Sequence, residues 1–286
     1  MSDISDHQPS APADAAEAQD KVRDVFELEE TVAGWDDDYY HPIAEKYYDE
    51  AVPAMLRRMG AGPGDMVLDA GCGPGVHAIR AARYGCTVKA IDLSERMLAH
   101  ARDRAAQAGV ADKIEFQQAD LTDLKLESEA YPFVFNWGVV IHVPDTEAAL
   151  SHLTRIVAPG GKLALHITNE KSLDFRLEQA ARGLVRKPLE GLRDTGLGKG
   201  VWYDHHGQKL WVLRFDAERL SKDMERRGFK TVDRYAAEYT EFQWRLKGPA
   251  KTILRPAILQ ANRLAYKVGA PASLSCTQIM IFEKCA

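Results

Sequence analysis

No apolar run in this 286-residue chain reaches the ~18–20 residues that a membrane-spanning helix needs, so no stable membrane insertion is expected. Residues 1–20 lack both a basic start and an apolar stretch, and nothing there reads as a secretion signal. Cysteine is scarce: Cys72, Cys86, Cys276 and Cys285 show neither metal-ligand spacing nor a disulfide framework. Free thiols suit a reducing compartment, and the expectation is a cytoplasmic protein that holds no metal. A basic excess is missing too. With 37 Lys and Arg against 42 Asp and Glu, the formal net charge is −5. That argues against general nucleic-acid binding, which usually shows a basic surface.

What is present points to a soluble α/β protein. Residues 1–22 are rich in Ser, Asp, Ala and Pro with one large hydrophobe, Ile4, and are predicted to be disordered because they bury too little to offset chain entropy. Residues 23–62 carry two predicted helices around the aromatic cluster Trp35, Tyr39, Tyr40, Tyr47 and Tyr48, closed by a Gly60–Gly64 loop. From residue 63 to 286, strand and helix patterns alternate as in a mostly parallel sheet covered on both faces. Strands are predicted at 66–70, 86–91, 114–118, 132–137, 162–167, 229–236 and 276–283, and helices near 75–84, 95–108, 146–157 and 216–227. Two stretches, 171–212 and 242–273, stand outside this alternation.

The densest signal is Val67-Leu68-Asp69-Ala70-Gly71-Cys72-Gly73-Pro74-Gly75, followed by Ala90-Ile91-Asp92-Leu93-Ser94. It reads as buried strand, glycine turn, helix, second strand and terminal acid. Glycines in such a turn let backbone approach a ligand, and an acid closing the second strand can accept both hydroxyls of a ribose. Ser94 is the better cap for the helix that follows, which leaves Asp92 for the ligand. An adenosine-containing cofactor is the expectation. A dinucleotide turn would read G-x-G-x-x-G. Here the third glycine comes one place early, at Gly75, and Val76 stands where that pattern has Gly or Ala. Asp69, two residues before the first glycine, would repel a pyrophosphate but suits a ligand with an amino group and a sulfonium. A nicotinamide-dependent oxidoreductase is therefore the weaker alternative.

These residues resemble the first motif of the class I S-adenosylmethionine (SAM)-dependent methyltransferases, D-x-G-C-G-x-G. Asp69, Gly71, Cys72, Gly73 and Gly75 match it position for position. Val157-Ala158-Pro159-Gly160-Gly161-Lys162-Leu163 is similar to the family's Pro-Gly-Gly turn before the fifth strand. The resemblance carries specific motifs over roughly residues 65–170. It implies a Rossmann-like, doubly wound, seven-stranded sheet with an antiparallel last strand, and SAM as cofactor. It also implies that Asp120 meets the adenine amino group, that the Leu121 backbone meets a ring nitrogen, and that Leu93 and Met97 wall the adenine slot. Trp137, ending the fourth strand, would complete the cofactor contacts. Residues 23–62 would then be lid helices, with Tyr39 over the sulfonium and Tyr40 beside the acceptor; ordinary core packing is the alternative.

The methyl acceptor is read as a small organic molecule. Family members that methylate DNA amino groups carry (Asp/Asn)-Pro-Pro-(Tyr/Phe) after the fourth strand, whereas this chain has Asn136-Trp137-Gly138-Val139, so no flipped-base clamp is expected. His142, in Val140-Ile141-His142-Val143-Pro144-Asp145, is the candidate general base, its alternative being a structural histidine. Trp202 and His206 are candidate acceptor contacts, because the stretches 171–212 and 242–273 are expected to form a substrate cap. Residues 248–268 pattern as an amphipathic helix with basic residues on one face and Pro256 as a break or kink. Core packing, a homo-oligomer contact, a basic substrate wall and a membrane surface all remain open for that helix. A SAM-binding protein without turnover is the second alternative function.

Overall fold

The computed structural model describes residues 12–28, 31, 34, 39–184, 186, 187, 189–205, 207–240, 249–269 and 271–285. Strands β1 (Met66–Ala70), β2 (Thr87–Asp92), β3 (Ile114–Gln118), β4 (Tyr131–Trp137) and β5 (Val157–Asn169) are parallel. β9 (Phe229–Glu238) and β10 (Thr277–Lys284) extend the sheet past β5, with β10 antiparallel to both neighbours. The spatial order is β3-β2-β1-β4-β5-β10-β9. All seven strands expected from sequence are present, within two residues at most bounds and with β5 longer at its start. That start is the Pro-Gly-Gly turn itself.

Successive residues of a strand point to opposite faces, and here both faces are covered. Leu68, Ile91, Val134, Leu165 and Met280 enter one core. Val67, Ala90, Phe135, Ala164 and Ile279 enter the other. This is why these strands read as continuous apolar runs rather than as alternating ones. The second core is closed by α2 (Pro42–Met59) and α3 (Val76–Tyr84), with Tyr47, Tyr48, Met55 and Leu56 buried in it. α4 (Glu95–Gln107), α5 (Thr146–Ile156) and α7 (Ala217–Arg226) complete the crossovers. Ser94 caps α4, its hydroxyl accepting the Met97 amide at 3.1 Å.

Four expectations are corrected. Disorder through residue 22 fails, because α1 runs over Pro12–Glu27 and buries Val22 and Val25 in the first core. The segment is too poor in hydrophobes to fold alone; what orders it is the surface it meets, on α4 and on the strand over Gln208–Phe215. The 171–212 stretch adds to the sheet rather than only capping it. After α6 (Leu173–Leu184), an antiparallel meander of β6 (Glu190–Asp194), β7 (Gly198–His205) and β8 (Gln208–Phe215) joins β5 where Thr168 and Asn169 pair with Arg214 and Phe215. β5 outlasts β4 there, leaving an open edge that β8 fills. Gly200 lets the strands close, since a Cβ on it would lie 1.9 Å from the ring of Trp211. In the 242–273 stretch, α8 (Pro249–Lys267) continues through Pro256, so of the expected break or kink the break does not occur; a mid-helix proline removes one hydrogen bond and need not end a helix already fixed by packing. Finally, the aromatic cluster around residues 35–48 is largely core: Tyr47 and Tyr48 are buried, whereas Trp35 lies outside the described residues.

Candidate functional site

The carboxyl ends of β1, β2 and β4 converge on a cleft lined by the glycine turn, Asp92 and Trp137. The glycine turn forms its floor. Gly71 takes φ +94°, and its amide and that of Cys72 both donate to the Ile91 carbonyl at 2.8 Å, locking the turn onto β2. A Cβ on Gly71 would lie 2.5 Å from Val139 Cγ2. Gly73, at φ +50°, is different: nothing stands within 4 Å of where its Cβ would be. Gly75 caps α3 at φ +84° and sits behind the cleft, where its missing Cβ lets α4 approach, Ala101 Cβ being 3.0 Å from that position.

Two carboxylates sit at the turn. Asp92 Oδ2 accepts the Gly73 amide at 2.7 Å and Oδ1 accepts the Ser94 amide at 3.0 Å. Burial pushes its carboxyl up to about 6, partly countered by those amides. Asp69 is fully buried, and neither of its oxygens has a hydrogen-bond partner among the described residues. Burial, then the charge of Asp92, holds Asp69 well above the usual carboxylate range, the nearby Ala78 amide offsetting only part of this. An unpartnered buried carboxyl beside a glycine turn is costly unless something else faces it.

At the other end, Leu93, Met97, Ala119 and Leu121 make an apolar slot that Asp120 borders. The Asp120 carboxylate accepts the Thr122 amide at 2.8 Å and its hydroxyl at 2.7 Å. Helix α1 closes this end. Arg23 pairs with Asp120 at 3.2 Å, Gln19 reaches it at 3.5 Å, and Gln19, Val22 and Phe26 line the cleft. The sequence carries no signal for α1 as a wall, because its contribution depends on the meander that supports it.

Beyond the glycine turn the cleft becomes aromatic. Tyr39, His77, Trp137 and His142 all face it. Asn136 is spent on structure: its amide donates to the Ala70 carbonyl and its oxygen accepts the Val140 amide at 2.8 Å. This shapes the loop that presents Val139 and His142. His142 Nδ1 lies 2.8 Å from the Trp211 carbonyl of β8. A carbonyl can only accept, so the proton sits on Nδ1 and the basic lone pair on Nε2. No sequence motif singles out His77, although its place in the first turn after Gly75 is the signal that finds it. Its ring lies 4.7 Å from that of Trp137 and 5.1 Å from Tyr48, is almost wholly buried, and leaves Nδ1 without a hydrogen-bond partner among the described residues. Burial, then the charges of Arg80 and His166, keep it well below the ordinary histidine value, hence neutral.

The cleft thus gathers Tyr39, Gly71, Cys72, Gly73, Asp92, Leu93, Met97, Asp120, Leu121, Trp137 and His142. It does not gather Tyr40, whose hydroxyl donates to the Pro74 carbonyl at 3.2 Å while Arg104 covers its ring; Tyr40 braces the turn from outside. Nor does it gather Trp202, which packs edge-on to Trp211 at 5.3 Å in the meander. His206 lies outside the described residues. No group of three or more metal-ligating side chains occurs among the described residues.

Comparison with known proteins agrees with this architecture. Residues 67–161 match the methyltransferase domain family. The chain is similar to the methyltransferase GfsG of Streptomyces halstedii, with 33% identity over 43% of this chain and 45% of that one. It is similar to 27-O-demethylrifamycin SV methyltransferase of Amycolatopsis mediterranei, with 35% identity over 47% of each. The chain thus spans about half the length of these curated relatives. Among solved structures, magnesium protoporphyrin IX methyltransferase from Synechocystis, with bound SAH, shares the fold at a TM-score of 0.61 and 19% identity, covering 92% of this chain and 98% of that one. Residues 67–161 thus carry a methyltransferase-like domain, and in its glycine turn and strand order the chain resembles the class I SAM-dependent methyltransferases.

Proposed function

We propose that this protein transfers a methyl group from SAM to a small organic acceptor. The observation that carries this reading is the pairing of an unpartnered, buried Asp69 with the open space at Gly73, both beside Asp92. SAM brings an amino group, a sulfonium and a ribose, and these residues fit those groups in that order. Asp92 would accept the ribose hydroxyls, which needs its ionised form. Leu93, Met97 and Leu121 would sandwich the adenine, with Asp120 at its edge. Asp69, held above the usual carboxylate range by burial, would gain a cationic neighbour in the SAM amino group.

When bound, SAM supplies a methyl group already activated by its sulfonium. The chain therefore has to align the acceptor and exclude water. Trp137, His77 and Tyr39 form an aromatic wall suited to that, and neutral His77 can exchange one hydrogen bond with an acceptor hydroxyl or amine. His142 supports the reading of a general base, its Nε2 lone pair fixed by the Trp211 carbonyl. The relatives named above act, by their names, on a rifamycin and a porphyrin; for this chain the acceptor class proposed is a small molecule of comparable kind. A screen of metabolites for conversion of SAM to S-adenosylhomocysteine tests the reading, and an acceptor found there lets His142→Gln be assayed. Turnover lost with SAM affinity intact supports the base; unchanged turnover removes it.

Helix α1 yields a separate expectation. Deleting residues 1–11 should leave SAM affinity within about twofold. Deletion through Glu27 removes Gln19, Val22 and Phe26 from the cleft wall and should weaken binding roughly tenfold, from lost apolar contact alone. Equal affinities of the two truncations, measured by calorimetry, would show that α1 does not cover the cofactor.

A further inference from the structure

Ten large hydrophobic side chains are exposed among the described residues; six of them sit on α6 and α8, and a seventh, Val268, directly follows α8. They are not scattered. On α6, Leu173, Leu177 and Leu184, with Ala180 between, form one outward stripe at helical spacing, the leucines being 51–86% exposed. The inward face of the same helix is largely polar. Asp174 accepts the Thr240 hydroxyl at 2.8 Å, Glu178 accepts the Tyr203 hydroxyl at 2.9 Å, and only Phe175 is an apolar anchor. α8 repeats the inversion. Ile253, Leu254, Leu264 and Val268 face outward, whereas Arg255, Asn262 and Tyr266 lie inward beside Leu259. The helices meet at Thr240, whose hydroxyl bonds Asp174 and whose carbonyl accepts from Asn262 at 3.4 Å.

Two adjacent helices with leucines outside and hydrogen-bonding groups inside are built against something apolar. The charges at the α6 stripe select what. Arg176 lies on the exposed face, and Arg186 and Lys187 follow the helix, all three exposed and without an ion pair among the described residues. The acids of this segment are turned in: Asp174 is buried and Glu178 is paired with Arg182. A two-fold contact between copies would set this basic patch against itself. An anionic bilayer surface complements both features, taking the leucines into its interface and the basic groups at its phosphates. We propose that α6 and α8 form a peripheral docking face for membranes carrying anionic lipid. No described helix is long and apolar enough to cross a membrane, so the attachment lies in the interface plane. It stands independently of the methyl-transfer reading.

The test is flotation of the full-length protein with vesicles of phosphatidylcholine alone or mixed with phosphatidylglycerol. Binding should be at least about tenfold stronger to the mixed vesicles and fall in about 1 M salt, where surface charge is screened. Leu173→Glu/Leu177→Glu/Leu184→Glu should abolish it, Ile253→Glu/Leu264→Glu should weaken it, and Arg176→Glu/Arg186→Glu/Lys187→Glu should remove the preference for anionic lipid. Thermal melting and SAM affinity of each variant, expected within twofold of the parent because no substituted side chain lines the cleft, show that the fold survives. Absence of flotation with either vesicle overturns the proposal, as does flotation unchanged by the leucine variant. A dimer in solution that the leucine variant splits, without vesicle binding, assigns the face to a second copy instead.

Discussion

Asp92→Ala should weaken SAM binding by about 1.5–3 kcal/mol, roughly 10- to 150-fold, through loss of two charge-assisted hydrogen bonds from ribose hydroxyls. Alanine also strips acceptors from the Gly73 and Ser94 amides, so Asp92→Asn is the cleaner companion, keeping one oxygen. The carboxyl, pushed up to about 6 by burial, adds a pH signature. In the parent protein, SAM affinity should fall as pH drops through about 6 and Asp92 takes up its proton. In Asp92→Asn that dependence should vanish. Stability without ligand runs the opposite way. A carboxyl whose folded value is raised favours the folded state fully only below its ordinary value, and that contribution is lost as pH rises through about 6. Asp92→Asn should therefore raise the melting temperature at pH above 7 while weakening the cofactor. Calorimetry and melting curves read the two effects separately. A folded Asp92→Ala protein with parental SAM affinity would take this residue out of the site.

Gly71→Ala should cost about 2–5 kcal/mol of stability. Two terms add: a non-glycine residue at φ +94° is strained by about 1–2 kcal/mol, and a Cβ 2.5 Å from Val139 overpacks the turn, typically by 1–3 kcal/mol. Val139→Ala in the same chain removes the two nearest carbons but leaves the residue-139 Cβ 2.8 Å away, so it should recover only part of the overpacking and none of the backbone strain. Because both Gly71 and Val139 line the cleft, SAM affinity should drop in Gly71→Ala and return only partly in the double variant. Urea unfolding measures the stability terms. A Gly71→Ala protein as stable as its parent would mean the turn adopts another conformation.

The sheet and the glycine-turn end of the cleft are legible because they are written locally. Val67-Leu68-Asp69-Ala70 is apolar on both faces of its strand, the three glycines mark a turn that must run close to something, and Ser94 caps α4 so that Asp92 is not needed there. The remainder depends on partners far away in sequence. α1 has too few hydrophobes to be read as folded, yet Val22 and Val25 find a surface on β8, some 190 residues on. β8 in turn reads as part of an insertion, since its place in the sheet comes from β5 running past the end of β4. His77 has no motif of its own; it matters because Trp137, Tyr48 and Tyr39 close around it. Tyr40, expected beside the acceptor as a lid residue, and Trp202, expected in the substrate cap, pack outside the cleft, against Arg104 and Trp211 respectively. An aromatic residue near a site in sequence is core as often as ligand surface, and only the fold tells which.

Whether the cleft over the glycine turn holds SAM is decided by isothermal titration of the full chain with SAM, and with NAD under identical conditions. One SAM site per chain is expected, with weakened binding in Asp92→Ala and no heat from NAD. Saturable NAD binding without SAM binding would contradict this expectation.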